Sequence, residues 1–225
     1  VSFHFGLPEP RLLARVKASG AKVISSATTV TEALWLEQQG CDAIIAMGYE
    51  AGGHRGMFLS DDLNSQVGTL ALVPQIVDAV GVPVVAAGGI GDARGIAAAF
   101  MLGASAVQLG TAYLFCPESK ISAAHRRALH TARESDTALT NLFTGRPARG
   151  IYTRIMRELG PVSTLAPAFP LAGGALMPLR AISEPQGNSD FSNLWSGQAL
   201  RLGTELPAAE LTGKLAQECL TLIGR

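Results

Sequence analysis

The sequence predicts an α/β protein in which short buried strands alternate with helices. Five apolar runs are bounded by glycine or proline, and most of them lack the alternation of a half-exposed strand. Such runs are typical of a parallel sheet that is covered on both faces. Helical stretches that end at glycine lie between the runs, so the order is strand, helix, strand, helix.

Composition is consistent with a sizeable globular domain and excludes several classes of protein. The chain has 225 residues, of which 48% are hydrophobic and 16% are charged, so a disordered chain is excluded. Lys and Arg together number 18, as do Asp and Glu, and this balance lacks the basic excess of a nucleic-acid-binding protein. The 3 cysteines have unrelated spacings, which predict neither a disulfide framework nor a zinc site and favour a reducing cytoplasm.

Each element follows from local signals in the sequence. We expect strands at residues 1–6, 22–27, 43–48, 83–89 and 106–111. The first helix is expected at 10–19, and the second begins with a capping box at Thr29 and Glu32. A third helix at 72–80 would carry Pro74 in its first turn, and Asp92 can cap a fourth at 93–102. The uncharged stretch 95–117 is interpreted as helix, turn and strand, not as a membrane span.

Five parallel strands permit two folds. A doubly wound sheet would use all five, whereas a (β/α)8 barrel needs eight, so three would precede residue 1. The chain starts directly with an apolar run, which suggests a fragment of a longer protein. Beyond residue 132 the sequence becomes rich in glycine and proline, with helices expected at 152–159 and 207–223. We interpret this part as an elaboration beside the sheet.

The densest candidate for chemistry is the motif Glu50-Ala-Gly-Gly-His-Arg-Gly56, directly after the run 43–48. Ligands bind at the carboxyl ends of parallel strands in either fold. Two glycines let the backbone approach a flat ligand, and the imidazole of His54 can transfer a proton near neutral pH. The alternative is a glycine-rich turn whose histidine is simply exposed to solvent.

Two further glycine turns follow the last two strands. They contain Gly88 and Gly89, and then Gly110 and Thr111, and together they match the phosphate site of a barrel. His4 lies on the polar face of the first strand, opposite Phe3 and Phe5, and could enter the same pocket or be a satisfied core histidine. His125 and His130 lack the spacing of metal ligands and are interpreted as part of a solvated helix face.

A set of motifs in a fixed order resembles the class I nitronate monooxygenases. The motifs are SFHFGLP, SSATTVTEA, GYEAGGHRG, AAGGIGDARG, VQLGTAYL and TGRPARGI, and the similarity runs from Val1 to about Arg157, with a looser match at 193–198. The resemblance implies a TIM-type (β/α)8 barrel that binds FMN. Residues 1–132 would then supply the fourth to eighth strands and the FMN site, and residues 133–225 a helical extension, with the amino-terminal part of the family absent.

The same resemblance implies a role for individual residues. His54 matches the active-site histidine, which orients a nitronate or takes a proton from a neutral nitroalkane, and His4 matches a second pocket histidine. The expected flavin contacts are Gly52 and Gly53 at the ring, Gly88, Gly89, Gly110 and Thr111 at the phosphate, and Met47, where the family usually has a polar side chain. The implied reaction converts an alkyl nitronate and O2 into a carbonyl compound and nitrite.

Two other classes of function stay open. Flavin barrels with similar glycine turns include NADH:quinone and enoyl-thioester reductases. The start of the chain inside a strand, together with Met47, would also fit a non-catalytic fragment.

Overall fold

The computed structural model describes residues 1–224, which form two compact units. The first unit comprises residues 1–50, residues 56–109 and the residues from Glu218 onward, and the second comprises residues 51–55 and 110–217. The division expected at residue 132 stays a prediction about where the cofactor-binding part ends. None of the helices within residues 1–224 has both the length and the apolar character to cross a membrane.

The described residues contain strands and helices in regular alternation over the first half. The strands are β1 (Ser2–Phe3), β2 (Ile24–Ala27), β3 (Ala43–Met47), β4 (Gly53–His54), β5 (Val84–Ala87), β6 (Ala106–Gln108), β7 (Thr137–Thr140) and β8 (Ala148–Ile151). The α-helices are α1 (Pro10–Ala18), α2 (Val30–Gln38), α3 (Thr69–Ala79), α4 (Ala93–Met101), α5 (Thr111–Leu114), α6 (Ala123–Thr131), α7 (Arg154–Leu159), α8 (Ala172–Ser183) and α9 (Ala208–Leu222). Short 3-10 turns lie at Leu63–Ser65, Glu184–Gln186 and Gln198–Leu202.

The sheet of the first unit distinguishes between the two folds that the sequence left open. Its strands pair in parallel in the order β1-β2-β3-β5-β6. A doubly wound sheet reverses its strand order at a switch point, whereas successive barrel strands are always neighbours. Because each strand of this sheet lies beside the preceding one without reversal, the first unit has the topology of part of a (β/α)8 barrel.

The five predicted strands are confirmed, but each is shorter than its apolar run. The largest difference is at the amino terminus, where the strand ends at Phe3 because Phe5 and Gly6 have φ values of 64° and 84°. Backbone in this left-handed region leaves the strand conformation. The expectation that Phe3 and Phe5 share one face of a strand over 1–6 is therefore wrong.

Two details of the predicted helix starts are also corrected. Thr29 does cap α2 by accepting from the N–H of Glu32, but the Glu32 carboxylate bonds Thr28 and not Thr29. Helix α3 begins at Thr69, three residues earlier than expected, so Pro74 lies inside the helix and not in its first turn. The earlier start has a tertiary cause, because the carboxylate of Glu50 accepts the N–H of Thr69 at 2.9 Å.

The core of the first unit lies between the parallel sheet and its covering helices. Val23 and Ile44 from the sheet region and Leu36 and Ile76 from the helices are fully buried. Burying such side chains contributes about 1.5–3 kcal/mol each relative to leaving them exposed. This core fixes the strand ends, where the candidate site residues begin.

The second unit contains a three-stranded antiparallel sheet in the order β4-β8-β7. The expected helices at 152–159 and 207–223 are present, but β7, β8 and α8 were not predicted. Strand β8 has no alternation because all four residues are buried, including Arg149 at 2% exposure. Helix α8 contains two glycines and Pro178, which favoured an irregular interpretation of this region.

Helix α6 corrects one further expectation. His125 is buried at 8% exposure, and its Nε2 lies 3.0 Å from the carbonyl oxygen of Trp195. The expected solvated histidine face is therefore wrong for His125, although His130 at the end of the helix is exposed and pairs with Glu205 at 2.9 Å.

Candidate functional site

His54 lies on β4 in the second unit, next to β8. The pairing places His54 opposite Ala148 and Gly53 opposite Arg149. The imidazole is half-buried, and its Nε2 lies 2.9 Å from Oγ1 of Thr144. The alternative of a simply solvent-exposed histidine is therefore excluded, because this ring has a defined hydrogen-bonding partner.

Two aromatic rings flank the imidazole of His54. The ring centroid of Trp195 lies 5.6 Å from that of His54, and the ring of Phe169 meets it edge-on at 6.0 Å. These distances are typical of aromatic contacts. Phe169 and Trp195 were not predicted as site residues, because each is more than a hundred positions away from His54 along the chain.

Trp195 belongs to a segment, residues 194–197, that hydrogen-bonds along β8. The N–H of Ile151 donates to the carbonyl of Leu194 at 2.8 Å, and Gly150 pairs with Trp195. The segment also explains Gly52, because a Cβ there would lie 2.4 Å from the backbone nitrogen of Gly197. The chain's own backbone thus occupies the side-chain position of Gly52.

Gly53 and Gly110 differ from Gly52 in having open space. A Cβ built at either glycine meets no atom within 4 Å, and Gly53 has a φ of 74° that disfavours other residues. Next to Gly110, the Thr111 hydroxyl accepts the N–H of Gly197 at 2.9 Å, and its own proton can still be donated. A ligand could approach the backbone of the two open glycines closely.

In the first unit, the glycine turn after β5 is braced by a polar cluster. Gly88 and Gly89 have φ values of 106° and 69°. The Thr69 hydroxyl lies 2.8 Å from both the Gly88 carbonyl oxygen and Oε2 of Glu50, and its single proton serves one of them at a time. Glu50, which was not predicted as a site residue, therefore caps α3 and supports the turn through Thr69.

Helix α4 begins just after this turn, but its first N–H groups are already engaged. The Asp92 carboxylate accepts from the N–H groups of Arg94 at 3.0 Å and Gly95 at 3.2 Å, which confirms the predicted cap. Partial burial acts to raise the pKa of Asp92, but hydrogen bonds from Arg94 and Gly95 outweigh it and lower the pKa. An anion at this turn would thus rely on the backbone of Gly88 and Gly89 and not on the first turn of α4.

Met47 and His4 belong to a second cluster in the first unit. The Gly56 N–H donates to Sδ of Met47 at 3.3 Å, and His4 Nδ1 lies 3.2 Å from the Ser26 hydroxyl. A Cβ at Gly56 would lie 3.1 Å from His4, so these residues are packed together. His4 is exposed among the described residues, so the choice between a pocket histidine and a core histidine stays a prediction.

The loop after Gly56 is held by the buried carboxylate of Glu32, which is 2% exposed. Oε1 accepts the N–H groups of Phe58 at 2.6 Å and Leu59 at 3.2 Å. Oε2 accepts both the N–H and the hydroxyl of Thr28 at 2.7 Å. The predicted capping box was the signal for Glu32, but its long-range role could not be inferred from local spacing.

The described residues contain no group of three or more His, Cys, Asp or Glu side chains that could hold a metal ion. The first unit thus has part of a barrel sheet with a glycine turn after β5, and the second unit has a positioned histidine beside open glycine backbone.

Comparison with known proteins identifies the family. A family model described as nitronate monooxygenase matches residues 1–218, and the chain belongs to this family. It is 46% identical over 97% of its length to a nitronate monooxygenase of Pseudomonas aeruginosa, of which it covers 62%. It is 40% identical over 100% of its length to a probable nitronate monooxygenase of Staphylococcus saprophyticus, of which it covers 64%. The chain thus spans less than two thirds of these relatives.

Solved structures agree with the barrel topology. A nitroalkane oxidase from Streptomyces ansochromogenes matches 100% of this chain with a TM-score of 0.91 and 43% identity, and 65% of that chain is covered. FabK from Thermotoga maritima matches 100% of this chain with a TM-score of 0.79 and 31% identity, and 68% of that chain is covered. The expected family and the expected TIM-type barrel portion are both confirmed.

Proposed function

We propose that the protein is an FMN-dependent nitronate monooxygenase, which oxidises alkyl nitronates with O2 to a carbonyl compound and nitrite. The observation that carries this proposal is the positioned imidazole of His54, adjacent in sequence to the open backbone of Gly53. Family membership supplies the class of reaction, and the histidine supplies a group suited to a nitro or nitronate substrate. The partners we propose are small molecules only, the nitronate and O2.

The residues present fit FMN as the cofactor. Open space above the backbone of Gly53 and Gly110 would accept a flat or anionic ligand, and the positive φ values of Gly88 and Gly89 are typical of glycine turns whose N–H groups bind anions. We keep Gly88, Gly89, Gly110 and Thr111 as the phosphate contacts. Gly52, Gly53 and Met47 are kept as the contacts of the ring. Bound FMN would supply the electron acceptor that no side chain of the protein provides.

Two features modify these assignments. Gly52 has backbone of the 194–197 segment where its side chain would be, so its contribution to a ring contact would come from its main chain alone. Met47 accepts the Gly56 N–H through sulfur, a weak acceptor, and would not replace the polar contact usual in the family. We therefore expect a side chain at Gly52 to disturb the packing of the 194–197 segment, whereas one at Gly53 would enter the open space that we assign to the ligand.

His54 has two uses in such a site. In its protonated form, the imidazolium can donate a hydrogen bond to a nitronate oxygen and stabilise the negative charge. In its neutral form, it can take the α-proton from a nitroalkane. We propose that His4, which lies against Gly56 in the first unit, contacts the substrate as a second polar group.

We also propose a cytoplasmic location, on the basis of the cysteines. Cys41, Cys116 and Cys219 are all buried and unbridged. Burial raises the pKa of Cys41 to about 11, so its thiol is kept in an unreactive form. Three buried thiols are consistent with a reducing compartment.

The alternative is the activity of an NADH:quinone or enoyl-thioester reductase. Its support is the similarity to FabK, which is weaker than the similarity to the nitroalkane oxidase. A visible absorption spectrum of the chain purified with FMN separates the two. We expect a flavin band that bleaches when propyl nitronate is added without O2, and nitrite on readmission of O2. NADH should leave the band unchanged, and rapid bleaching by NADH would favour the alternative. A chain that shows no flavin absorbance after incubation with excess FMN and removal of the free FMN would contradict the flavin assignment.

A further inference from the structure

The hydroxyl of Thr144 has three polar neighbours in the second unit. His54 Nε2 lies 2.9 Å from Oγ1, the carbonyl oxygen of Arg146 lies at 3.2 Å, and the Arg146 N–H at 3.3 Å. Thr144 is the first residue of the TGRPARGI motif, but neither the residues nor the resemblance assigned it a role. Its position against His54 results from the tertiary structure.

The chemistry of these neighbours determines where the protons lie. A threonine hydroxyl has one proton to donate and two lone pairs that accept. The Arg146 carbonyl can only accept, so it takes the hydroxyl proton, and the Arg146 N–H can only donate, so it uses one lone pair. The remaining lone pair faces His54, and it is satisfied only if Nε2 carries a proton.

The opposite tautomer allows the Thr144 hydroxyl fewer hydrogen bonds. If Nε2 of His54 had no proton, Thr144 would have to donate to it, and the carbonyl of Arg146 would lose this donor. One lone pair of the hydroxyl would then have no donor among these three neighbours. The arrangement with Nε2–H pairs every group around Oγ1 within the chain, whereas the opposite tautomer would leave the Arg146 carbonyl to pair with water.

The turn that carries Thr144 is fixed by its surroundings. Gly145 has a φ of 90°, and a Cβ there would lie 2.4 Å from the backbone nitrogen of Phe169 and from the carbonyl oxygen of Pro167. The Gly145 N–H also donates to the carbonyl of Asn141 at 2.8 Å. Only glycine fits this position, so the backbone that carries Thr144 is held in place beside the 167–169 segment.

We propose that Thr144 is a positioning residue, which holds neutral His54 with its proton on Nε2 and leaves Nδ1 as the proton-accepting nitrogen. The inference rests on the proposed function in one respect, namely that the substrate is a nitroalkane or its nitronate. Nδ1 then takes the α-proton of a neutral nitroalkane. The electron pair of the broken C–H bond stays on the substrate as the nitronate, and His54 becomes the imidazolium while Nε2–H still donates to Thr144.

The tautomer can be measured without flavin or substrate. Nitrogen-15 NMR of the histidine-labelled chain at about pH 8.5, two units above the ordinary histidine pKa of ~6.5, distinguishes protonated from unprotonated ring nitrogens. His54→Asn assigns the signals among the 4 histidines. We expect Nε2–H for His54 in the wild type and in Thr144→Ser, which keeps the hydroxyl, and a mixture of tautomers in Thr144→Val.

A second measurement connects the tautomer with substrate class. Thr144→Val should lower kcat for a neutral nitroalkane by about tenfold, a fraction of the usual general-base contribution, with a smaller effect on a preformed nitronate. Thr144→Ser should restore the rate. An Nδ1–H tautomer in the wild type, or an unchanged Nε2–H in a folded Thr144→Val, would overturn the proposal.

The two readouts keep the proposals separate. If Thr144→Val does not fold, the tautomers of the wild type and Thr144→Ser decide the matter alone. A wild-type Nε2–H tautomer in a chain without nitroalkane or nitronate activity would contradict the proposed function and leave the role of Thr144 supported. A wild-type chain that is active but carries its His54 proton on Nδ1 would contradict only the role of Thr144.

Discussion

Trp195 contacts two histidines. Its carbonyl oxygen accepts a hydrogen bond from Nε2–H of His125 at 3.0 Å, and the centroid of its indole ring lies 5.6 Å from that of the His54 imidazole. One residue thus connects a buried histidine of α6 with the candidate active-site histidine. Phe143 adds an edge-on contact to the same indole at 5.7 Å. The position of Trp195 against His54 therefore depends on the burial of His125 and on the packing of the second unit.

The first prediction is a loss of stability on acidification through His125. Burial lowers the pKa of His125 and the charge of Arg126 lowers it further, whereas the hydrogen bond to Trp195 opposes this by raising it. Because the folded chain resists protonation that the unfolded chain accepts near pH ~6.5, stability should fall as the pH drops below that value. Urea unfolding at a series of pH values from about 8 to about 5 measures how the free energy of unfolding changes with pH.

His125→Gln should reduce that slope, because glutamine keeps a donor for Trp195 but does not titrate. His130→Gln, at the exposed end of the same helix, is the matched control for loss of an imidazole. An unchanged slope in His125→Gln would show that other groups control the acid response.

The second prediction concerns the chemistry of His54. His54→Asn should retain FMN while lowering turnover of a nitronate or nitroalkane by about 10²–10⁴-fold, the usual size of a general acid–base contribution. The glycine backbone that we assign to the cofactor is unaffected by this change. Flavin absorbance of the dialysed variant and its initial rate of nitrite release provide the two readouts. Loss of flavin from a folded His54→Asn would instead make the histidine a structural residue.

The strands and the first helices could be predicted from the sequence because their signals are local. Apolar runs between glycines marked the five parallel strands, and Asp92 marked the start of α4. The choice between a doubly wound sheet and a barrel needed the strand order, which depends on pairing and not on periodicity. The family resemblance implies the barrel, and the strand order of the sheet agrees with it.

The surroundings of the candidate site could not be predicted, because tertiary pairing creates them. Thr144 meets His54 across 90 positions of the chain. Glu50 starts α3 at Thr69 through a contact across 19 positions, while Gly68 provides no side-chain cap. His125 lies in a basic stretch typical of an exposed helix face, and only the position of Trp195 shows why it is buried.

The third prediction tests the brace behind the Gly88 turn. Thr69→Val removes the hydroxyl that lies 2.8 Å from the Gly88 carbonyl and from Glu50. If the turn holds the phosphate, the variant should bind FMN about tenfold more weakly. This is the effect of losing roughly one hydrogen bond from the turn backbone to the charged phosphate. Riboflavin lacks the phosphate, so its affinity should be unchanged.

Flavin fluorescence quenching measures both affinities, and Thr69→Ser is the control that keeps the hydroxyl. An equal loss of FMN and riboflavin binding would mean that the brace acts on the whole unit. Unchanged binding of both ligands would remove the phosphate assignment from Gly88 and Gly89.

The fourth prediction concerns the buried carboxylate of Glu32. Glu32→Gln replaces an acceptor of four hydrogen bonds with an amide whose NH2 group faces donors. The NH2 group then faces either the two buried donors of Thr28 or the half-buried N–H groups of Phe58 and Leu59, and the cost should be about 1–3 kcal/mol in the free energy of unfolding. Urea unfolding at neutral pH measures this loss.

Hydrogen exchange of the Phe58 and Leu59 amides locates the effect, because both amides donate to the carboxylate that is changed. Glu37→Gln is the matched control. That carboxylate also accepts two N–H groups, those of Gly81 and Val82, but Gly81 is exposed and water can replace the lost contact. The control should therefore lose less stability and leave the exchange of Phe58 and Leu59 unchanged. Equal losses in the two variants would mean that burial of Glu32 adds nothing to its hydrogen bonds.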